Sequence, residues 1–197
     1  MANITATQIA ELRKKTGLPM MECKKALVEA NGDEAKAMEL LRKKGASRAE
    51  SKAERTTKAG LIESYVHGGK IGVLVEVLVE TDFVVKNEEF KTFVHDVALH
   101  IAASNPLYIS EKDVPAQKLE EEMKVFESQV ESEGKPAEIV KKIVEGKMAK
   151  FLSEICLLNQ PYIKNPDQTV GELLTALISK IGENIVISRF TRFEIGK

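Results

Sequence analysis

The side chains best suited to metal binding or acid–base catalysis are the three histidines, His67, His95 and His100. His67 lies beside a predicted turn, whereas His95 and His100 are five residues apart on a predicted helix. That spacing places two side chains on different faces of a helix, and a helical metal pair uses positions i and i+4 instead. The spacing therefore predicts that none of the three binds a metal.

The remaining motifs also argue against catalysis and against a cofactor. Cys23 and Cys156 are far apart in helix-like segments and form no CxxC pair, so we expect buried thiols in a reducing cytosol. The glycines and lysine of residues 67–72 lack the order of a phosphate-binding loop, and a strand rather than a helix follows them. The consecutive carboxylates of residues 120–122 spread around a helix, which is typical of a solvated face. We expect no cofactor and no metal.

Two short stretches are harder to explain as structure alone. Thr81-Asp82-Phe83 ends the most apolar run of the chain, at a predicted strand-to-helix junction. Either Asp82 caps the turn and Phe83 fills the sheet edge, or Phe83 is held out for a partner. Met20 and Met21 begin a predicted helix and cannot both face a narrow core, so we expect one to be exposed. An exposed methionine is an adaptable contact residue, although a small domain also exposes one by chance.

Three short helices are predicted in residues 1–45. Thr5 begins a capping box, Gly17 is predicted to end the first helix, and Asp33 can cap the third. Gly45 is predicted to end that third helix. The small, alanine-rich helix faces favour a compact bundle of the ubiquitin-associated (UBA-like) type.

A predicted change of domain follows this bundle. Residues 46–60 have helix-forming composition but no large apolar residue, which indicates a charged linker. Beyond residue 60 the hydrophobic period changes from 3.6 to 2, and Gly68-Gly69 separates two strand patterns as in a tight hairpin. The residues predicted to form the buried face of the second strand are Ile71, Val73, Val75, Val77 and Val79.

The rest of the core domain, residues 61–197, is predicted to be mainly helical. A helix follows Asn87, a helical pair interrupted at 134–136 spans about 115–158, and a polar loop occupies 159–168. A last helix then leads into a third strand of the sheet. The fold class is therefore α+β, with an N-terminal three-helix UBA-like module and a core of antiparallel sheet packed by helices.

The composition is that of an ordinary globular protein. Of the 197 residues, 43% are hydrophobic and 30% are charged, with 29 basic against 30 acidic side chains. This balance excludes a disordered chain and argues against direct nucleic-acid binding as the main source of affinity. The sequence has neither a signal-peptide pattern nor about 18 consecutive apolar residues, so we expect a cytoplasmic protein without a membrane partner.

Five blocks of sequence occur in a characteristic order. They are ELRKKTGLPMMECKKALVEANGDEAKAMELLRKKG, VLVETDFVVKNEEF, HIAASNP, EGKMAKFLSEICLLNQPYI and TVGELL. Together they resemble the bacterial elongation factor Ts family, the guanine nucleotide exchange factors of elongation factor Tu. The resemblance implies a non-catalytic protein that binds Tu·GDP, perturbs its Mg²⁺ and phosphate site and promotes GDP release so that GTP can bind.

The resemblance also implies which residues contact the GTPase. The segment Thr81, Asp82, Phe83 and Val84 matches the family segment that enters the GTPase near magnesium, with the aromatic as a wedge.

The matching N-terminal module docks on the same GTPase. Its contact surface is implied to include Leu12, Met20 and Met21.

Longer family members carry two similar core halves, whereas this chain has one. A single half leaves a face and an edge of its sheet uncovered, and an exposed apolar sheet surface tends to find a partner. We therefore expect a homodimer through the core domain.

Two other classes of function stay open at this point: an adaptor or chaperone built on a UBA-like module, and an enzyme of unknown type.

Overall fold

The computed structural model describes residues 4–131 and 137–197. The helices are α1 (Ala6–Thr16), α2 (Met20–Glu29), α3 (Glu34–Lys52), α4 (Asp82–Val85), α5 (Glu88–Ser104), α6 (Ala116–Glu131), α7 (Ala137–Ile155) and α8 (Val170–Ile181). The strands are β1 (Ala59–His67), β2 (Ile71–Val79), β3 (Pro161–Tyr162), β4 (Asn165–Thr169) and β5 (Ile185–Glu194). The predicted α+β fold class is confirmed.

The three long strands form one antiparallel sheet in the order β1-β2-β5. Gly68 and Gly69 connect β1 to β2 with φ angles of 56° and 70°, the positive values that a tight two-residue hairpin turn requires. Lys70 N donates to His67 O at 3.0 Å and closes this turn. The predicted hairpin and the predicted third strand are therefore confirmed.

The chain divides into two compact units. The first contains the described residues up to Gly60 together with Leu78–Phe90 and Leu174–Val186. The second contains Leu61–Val77, Lys91–Leu173 and Ile187–Lys197. We propose the domain boundaries at residues 45 and 60 that the sequence predicts.

In the first unit, α1, α2 and α3 pack around a small core whose helix ends follow local capping rules. Thr5 Oγ1 accepts from Gln8 N at 3.3 Å and Gln8 Oε1 accepts from Thr5 N at 2.9 Å, which is the predicted capping box. Asp33 Oδ1 accepts from Lys36 N at 3.1 Å and caps α3 as predicted. The residues that form this core are Ile9, Leu12, Leu18, Cys23, Ala26, Leu27, Ala30, Ala37 and Leu41.

The prediction that Gly45 ends the third helix is wrong, because α3 continues to Lys52. A Cβ on Gly45 would lie 3.4 Å from Ser179 Oγ, which is near an ordinary van der Waals distance, so the glycine is accommodated within the helix and does not end it. The following residues are good helix formers, and they find polar partners where no apolar anchor exists. Arg48 donates to Glu22 at 2.6 Å and Lys52 Nζ donates to Gly182 O at 2.5 Å.

In the second unit, α5 covers one face of the sheet. Arg192 of β5 donates to Ala102 O at 3.1 Å, and His95 of α5 lies 3.1 Å from the Glu63 carboxylate of β1. The buried face of β2 is confirmed at Val73, Val75, Val77 and Val79, while Ile71 is half-buried. The buried apolar residues of α5 within this unit recur at helical spacing: Phe93, Val94, Val97, Ala98, Ile101 and Ala102.

Helices α6 and α7 form the predicted pair. The rings of Phe126 and Phe151 meet edge to face with centroids 6.4 Å apart, and Lys147 Nζ donates to Gln129 Oε1 at 2.8 Å. These contacts run in opposite chain directions, so the two helices are antiparallel. The predicted interruption at 134–136 lies outside the described residues.

The prediction of a polar loop over 159–168 is wrong in part, because this segment contains the antiparallel pair β3 and β4. Tyr162 of β3 is buried and donates its hydroxyl to Asp96 Oδ2 at 2.6 Å. A buried aromatic with a satisfied hydroxyl stabilises a strand that the polar sequence around it does not predict.

Candidate functional site

The short helix α4 is held between two regular elements. Two residues separate it from the end of β2, and two residues separate it from the start of α5. Asn87 Oδ1 accepts from Glu89 N at 2.8 Å and from Phe90 N at 3.4 Å, and so caps α5. The turn that carries the Asp82-Phe83 pair is therefore presented between a strand and a capped helix.

Burial differs sharply along this turn. Thr81 and Asp82 are exposed, and Phe83 has 85% of its surface in contact with solvent. Val84, by contrast, is only 7% exposed. The alternative in which Phe83 fills the sheet edge is therefore wrong, and Val84 is the residue that anchors α4.

Thr81 is tied to a distant loop. Its backbone N–H donates to Glu183 Oε2 at 3.0 Å, and its hydroxyl donates to Glu183 Oε1 at 2.7 Å. Thr81 occupies the N-cap position of α4, yet in the described structure its side chain makes no capping bond to that helix. Sequence reasoning missed Glu183, because it lies 102 residues from Thr81 and no periodicity connects the two positions.

The start of α2 presents both methionines to solvent. Met20 is 49% exposed and Met21 is 61% exposed. Leu12 of α1 is completely buried in the core of the three-helix module. The implied docking surface must be corrected at this residue, because the Leu12 side chain faces the core and is unavailable to a partner.

A shallow basic cavity of about 380 Å³ borders Met20. Arg13, Lys14 and Lys180 are the cations that line it. Lys180 forms an ion pair with Glu89 at 2.5 Å. Two cations of α1 thus lie beside the exposed methionine.

The three histidines have separate protein partners. His67 Nδ1 lies 3.1 Å from the Tyr65 hydroxyl, and His95 Nδ1 lies 3.1 Å from Glu63 Oε1. His100 is fully buried and pairs through Nε2 with Gln160 Oε1 at 2.9 Å. Among the described residues, no three His, Cys, Asp or Glu side chains are grouped so that they could hold a metal ion.

Both cysteines are buried free thiols, as predicted. Burial raises the pKa of Cys156, and the nearby carboxylates of Glu111 and Asp113 raise it further. A thiol with a raised pKa is a weak nucleophile near neutral pH.

In residues 4–131 and 137–197, no helix has both the length and the apolar character needed to cross a lipid bilayer.

Comparison with known proteins gives one consistent result. Residues 37–197 match the family model described as "Elongation factor TS". A protein named elongation factor Ts from Alkaliphilus oremlandii is 57% identical over 195 residues, which are 99% of this chain and 90% of that relative. Proteins of the same name from Alkaliphilus metalliredigens and Acetivibrio thermocellus are each 56% identical; the matches cover 99% and 98% of this chain, respectively, and 91% of each relative.

Proposed function

Since the chain belongs to the elongation factor Ts family and its relatives support a role in translation elongation, we propose that it is a guanine nucleotide exchange factor. It binds elongation factor Tu·GDP, perturbs the Mg²⁺ and phosphate site of that GTPase and promotes GDP release so that GTP can bind. It performs no covalent chemistry, and it acts in the cytoplasm without a cofactor.

The observation that carries this proposal is the exposure of Phe83. An aromatic side chain that is 85% exposed on a turn between a strand and a capped helix gains nothing for the fold of the free chain. Buried aromatic residues are typical interface hot spots, worth roughly 2 kcal/mol or more each. Phe83 is therefore the wedge, and the exposed Asp82 and Thr81 beside it complete the contact surface of α4.

Linkage explains how such a wedge releases a nucleotide. A factor that binds the nucleotide-free GTPase more tightly than the nucleotide-bound form must weaken nucleotide binding by the same factor. Magnesium requires near-ideal octahedral geometry, so a small displacement of its ligands removes much of the stabilisation of the bound phosphates. Insertion of Phe83 therefore needs only to stabilise the form of the GTPase in which the magnesium ligands are displaced.

The three-helix module provides a second contact with the GTPase. Met20 and Met21 form an exposed, adaptable apolar patch at the start of α2. Arg13 and Lys14 border this patch, so the surface suits a partner that combines apolar and acidic groups.

A homodimer through the core domain is also part of the proposal. Ile62, Val66 and Leu74 on the hairpin of β1 and β2 are 63%, 66% and 50% exposed. The alternate residues are buried on β2 and half-buried on β1, so these exposed side chains leave apolar surface on the open face of the sheet. Static light scattering at micromolar concentration should give twice the monomer mass, and a strict monomer contradicts the dimer.

The exchange activity is tested by the release of fluorescently labelled GDP from elongation factor Tu. We expect the chain to accelerate release, and the double variant Asp82→Ala, Phe83→Ala to lose most of that acceleration. A matched control is Lys86→Ala, which removes an exposed side chain just outside α4. The proposal fails if the unmodified chain does not accelerate release, and the site assignment fails if the double variant remains as active as the control.

A further inference from the structure

We propose that Glu183 is a positioning residue that holds α4 and thereby fixes the direction in which Phe83 is presented. This inference deepens the exchange function proposed above and rests on it for its functional consequence. Glu183 itself has no role in contacting the nucleotide. Its effect is on the orientation of the wedge.

The contacts of Glu183 with Thr81 use both carboxylate oxygens. Oε2 accepts from the Thr81 backbone at 3.0 Å and Oε1 accepts from the Thr81 hydroxyl at 2.7 Å. Hydrogen bonds to an ionised acceptor are shorter and stronger than neutral ones, and two of them fix an angle as well as a distance. The first residue before α4 is therefore held in both position and direction.

The hydroxyl of Thr81 is diverted from its ordinary use. A threonine at an N-cap usually accepts a hydrogen bond from the helix that it precedes, as Thr5 does at α1. Within the described structure Thr81 makes no such bond to α4, and its hydroxyl instead donates to Glu183. A local rule is thus broken at the turn that carries the exposed Phe83, which is where a functional constraint is expected.

A reciprocal contact closes the same junction. Asn184 N donates to Glu80 Oε1 at 2.6 Å. Each glutamate therefore accepts from a backbone N–H on the other side of the junction: Glu80 from Asn184, and Glu183 from Thr81. Asn184 is only 3% exposed, and its side chain donates to Arg55 O at 3.0 Å. The loop that holds the wedge is thus itself anchored to the chain that follows α3.

The helix α4 needs such external support. It has four residues, which is too short for a helix to be stable by its own hydrogen bonds, and among them only Val84 is buried. Without the Glu183 contacts, Phe83 would sample several directions, and it would have to be ordered in the bound complex, after the three-helix module has docked. Preorganisation of the wedge removes that cost.

The first test measures the orientation of residue 83 directly in the free protein. The chain contains no tryptophan and three tyrosines, so Phe83→Trp introduces a single tryptophan that can be excited selectively, and its nanosecond motion is read by time-resolved fluorescence anisotropy. In this background, Glu183→Ala should raise the amplitude of the fast component clearly, and Glu183→Gln, which keeps one acceptor oxygen, should lie between it and the parent.

A matched control removes the same kind of bond elsewhere. Glu172 Oε2 accepts from Thr169 N at 3.0 Å at the start of α8. Glu172→Ala should leave the anisotropy decay of the introduced tryptophan unchanged. An unchanged decay in Glu183→Ala, or an equal change in Glu172→Ala, overturns the proposal. Should Glu183→Ala not fold, Thr81→Ala removes only the hydroxyl contact and must still raise the fast component.

The second test uses the unmodified Phe83 and elongation factor Tu·GDP. Glu183→Ala should lower the maximal rate of GDP release by roughly tenfold, as expected for loss of a charge-assisted contact. The concentration at half-maximal rate should change by less than about twofold, because the three-helix module still provides affinity. If the parent accelerates release and Glu183→Ala does so equally, the positioning role is refuted. If the parent does not accelerate release, the exchange proposal fails, and the anisotropy result alone decides the role of Glu183.

Discussion

Phe83 and Val84 are neighbours in the single turn of α4, yet Phe83 is 85% exposed and Val84 is 7% exposed. The two side chains therefore have opposite functions in a turn of four residues. Val84 binds the turn to the protein, and Phe83 is available to a partner. Substituting the two residues one at a time should therefore distinguish an effect on the free energy of unfolding from an effect on GDP release.

Phe83→Ala should lower the maximal rate of GDP release by about tenfold or more, the loss expected for an interface hot spot. Its free energy of unfolding should change by less than about 0.5 kcal/mol, because the side chain is exposed. Val84→Ala should instead cost about 1–2 kcal/mol of stability through the loss of two buried methyl groups. Urea unfolding and release kinetics on both variants check this, and a large stability loss in Phe83→Ala contradicts the exposed wedge.

The docking surface proposed for the three-helix module leads to a similar pair of expectations. The double variant Met20→Ala, Met21→Ala should weaken binding to elongation factor Tu by about tenfold, since it removes an exposed apolar patch. Its thermal midpoint should stay close to that of the parent. Leu12→Ala should cost about 2–5 kcal/mol of stability because Leu12 is completely buried. Titration calorimetry measures the affinity, and thermal unfolding measures the stability. An unchanged affinity in the methionine variant would show that Met20 and Met21 do not contribute to binding.

Features with partners only a few residues away could be predicted from the sequence. The Thr5 capping box joins positions three residues apart, and so does the Asp33 cap of α3. The turn at Gly68-Gly69 depends only on the φ angles that glycine permits. In each case the sequence contains both the group and its partner within one turn of chain.

Features with distant partners could not be predicted in this way. The bond between Thr81 and Glu183 spans 102 residues, and that between Tyr162 and Asp96 spans 66. No hydrophobic period encodes such pairs, so the sequence does not indicate Glu183 and predicts a loop where Tyr162 lies in a strand. Periodicity likewise leaves Phe83 undecided, because an aromatic residue at a strand end is compatible with burial and with exposure.

The glycine that ends α1 should be intolerant of substitution for two separate reasons. Gly17 has φ 68°, and a Cβ there would lie 2.7 Å from both Cε and Nζ of Lys180. Gly182 ends α8 with φ 86° and would meet nothing within 4 Å. Gly182→Ala should therefore lose about 1–2 kcal/mol from backbone strain alone, and Gly17→Ala should lose more because Lys180 must also move. Urea unfolding of the two variants gives the comparison, and equal losses show that the contact with Lys180 is unimportant.

The buried histidine should make stability depend on pH. His100 Nδ1 accepts from Ile163 N at 3.3 Å, so its proton lies on Nε2, which donates to Gln160 Oε1 at 2.9 Å. Burial lowers the pKa of His100 below its ordinary value of 6.5, and the Gln160 contact opposes this only in part. The folded chain thus binds this proton more weakly than the unfolded chain does. The stability that depends on neutral His100 is complete above about pH 6.5 and is lost as the pH falls from there through the lower folded pKa.

Denaturant unfolding between pH 7.5 and pH 5.5 measures this loss. The parent should lose stability as the pH falls across this range, and His100→Leu, although less stable at pH 7.5, should show a shallower fall. His67→Gln replaces an exposed histidine and should keep the slope of the parent. If His100→Leu retains the full parental slope of unfolding free energy against pH, the pH dependence comes from other groups. The slope decides this because it measures how many more protons the unfolded chain binds than the folded chain.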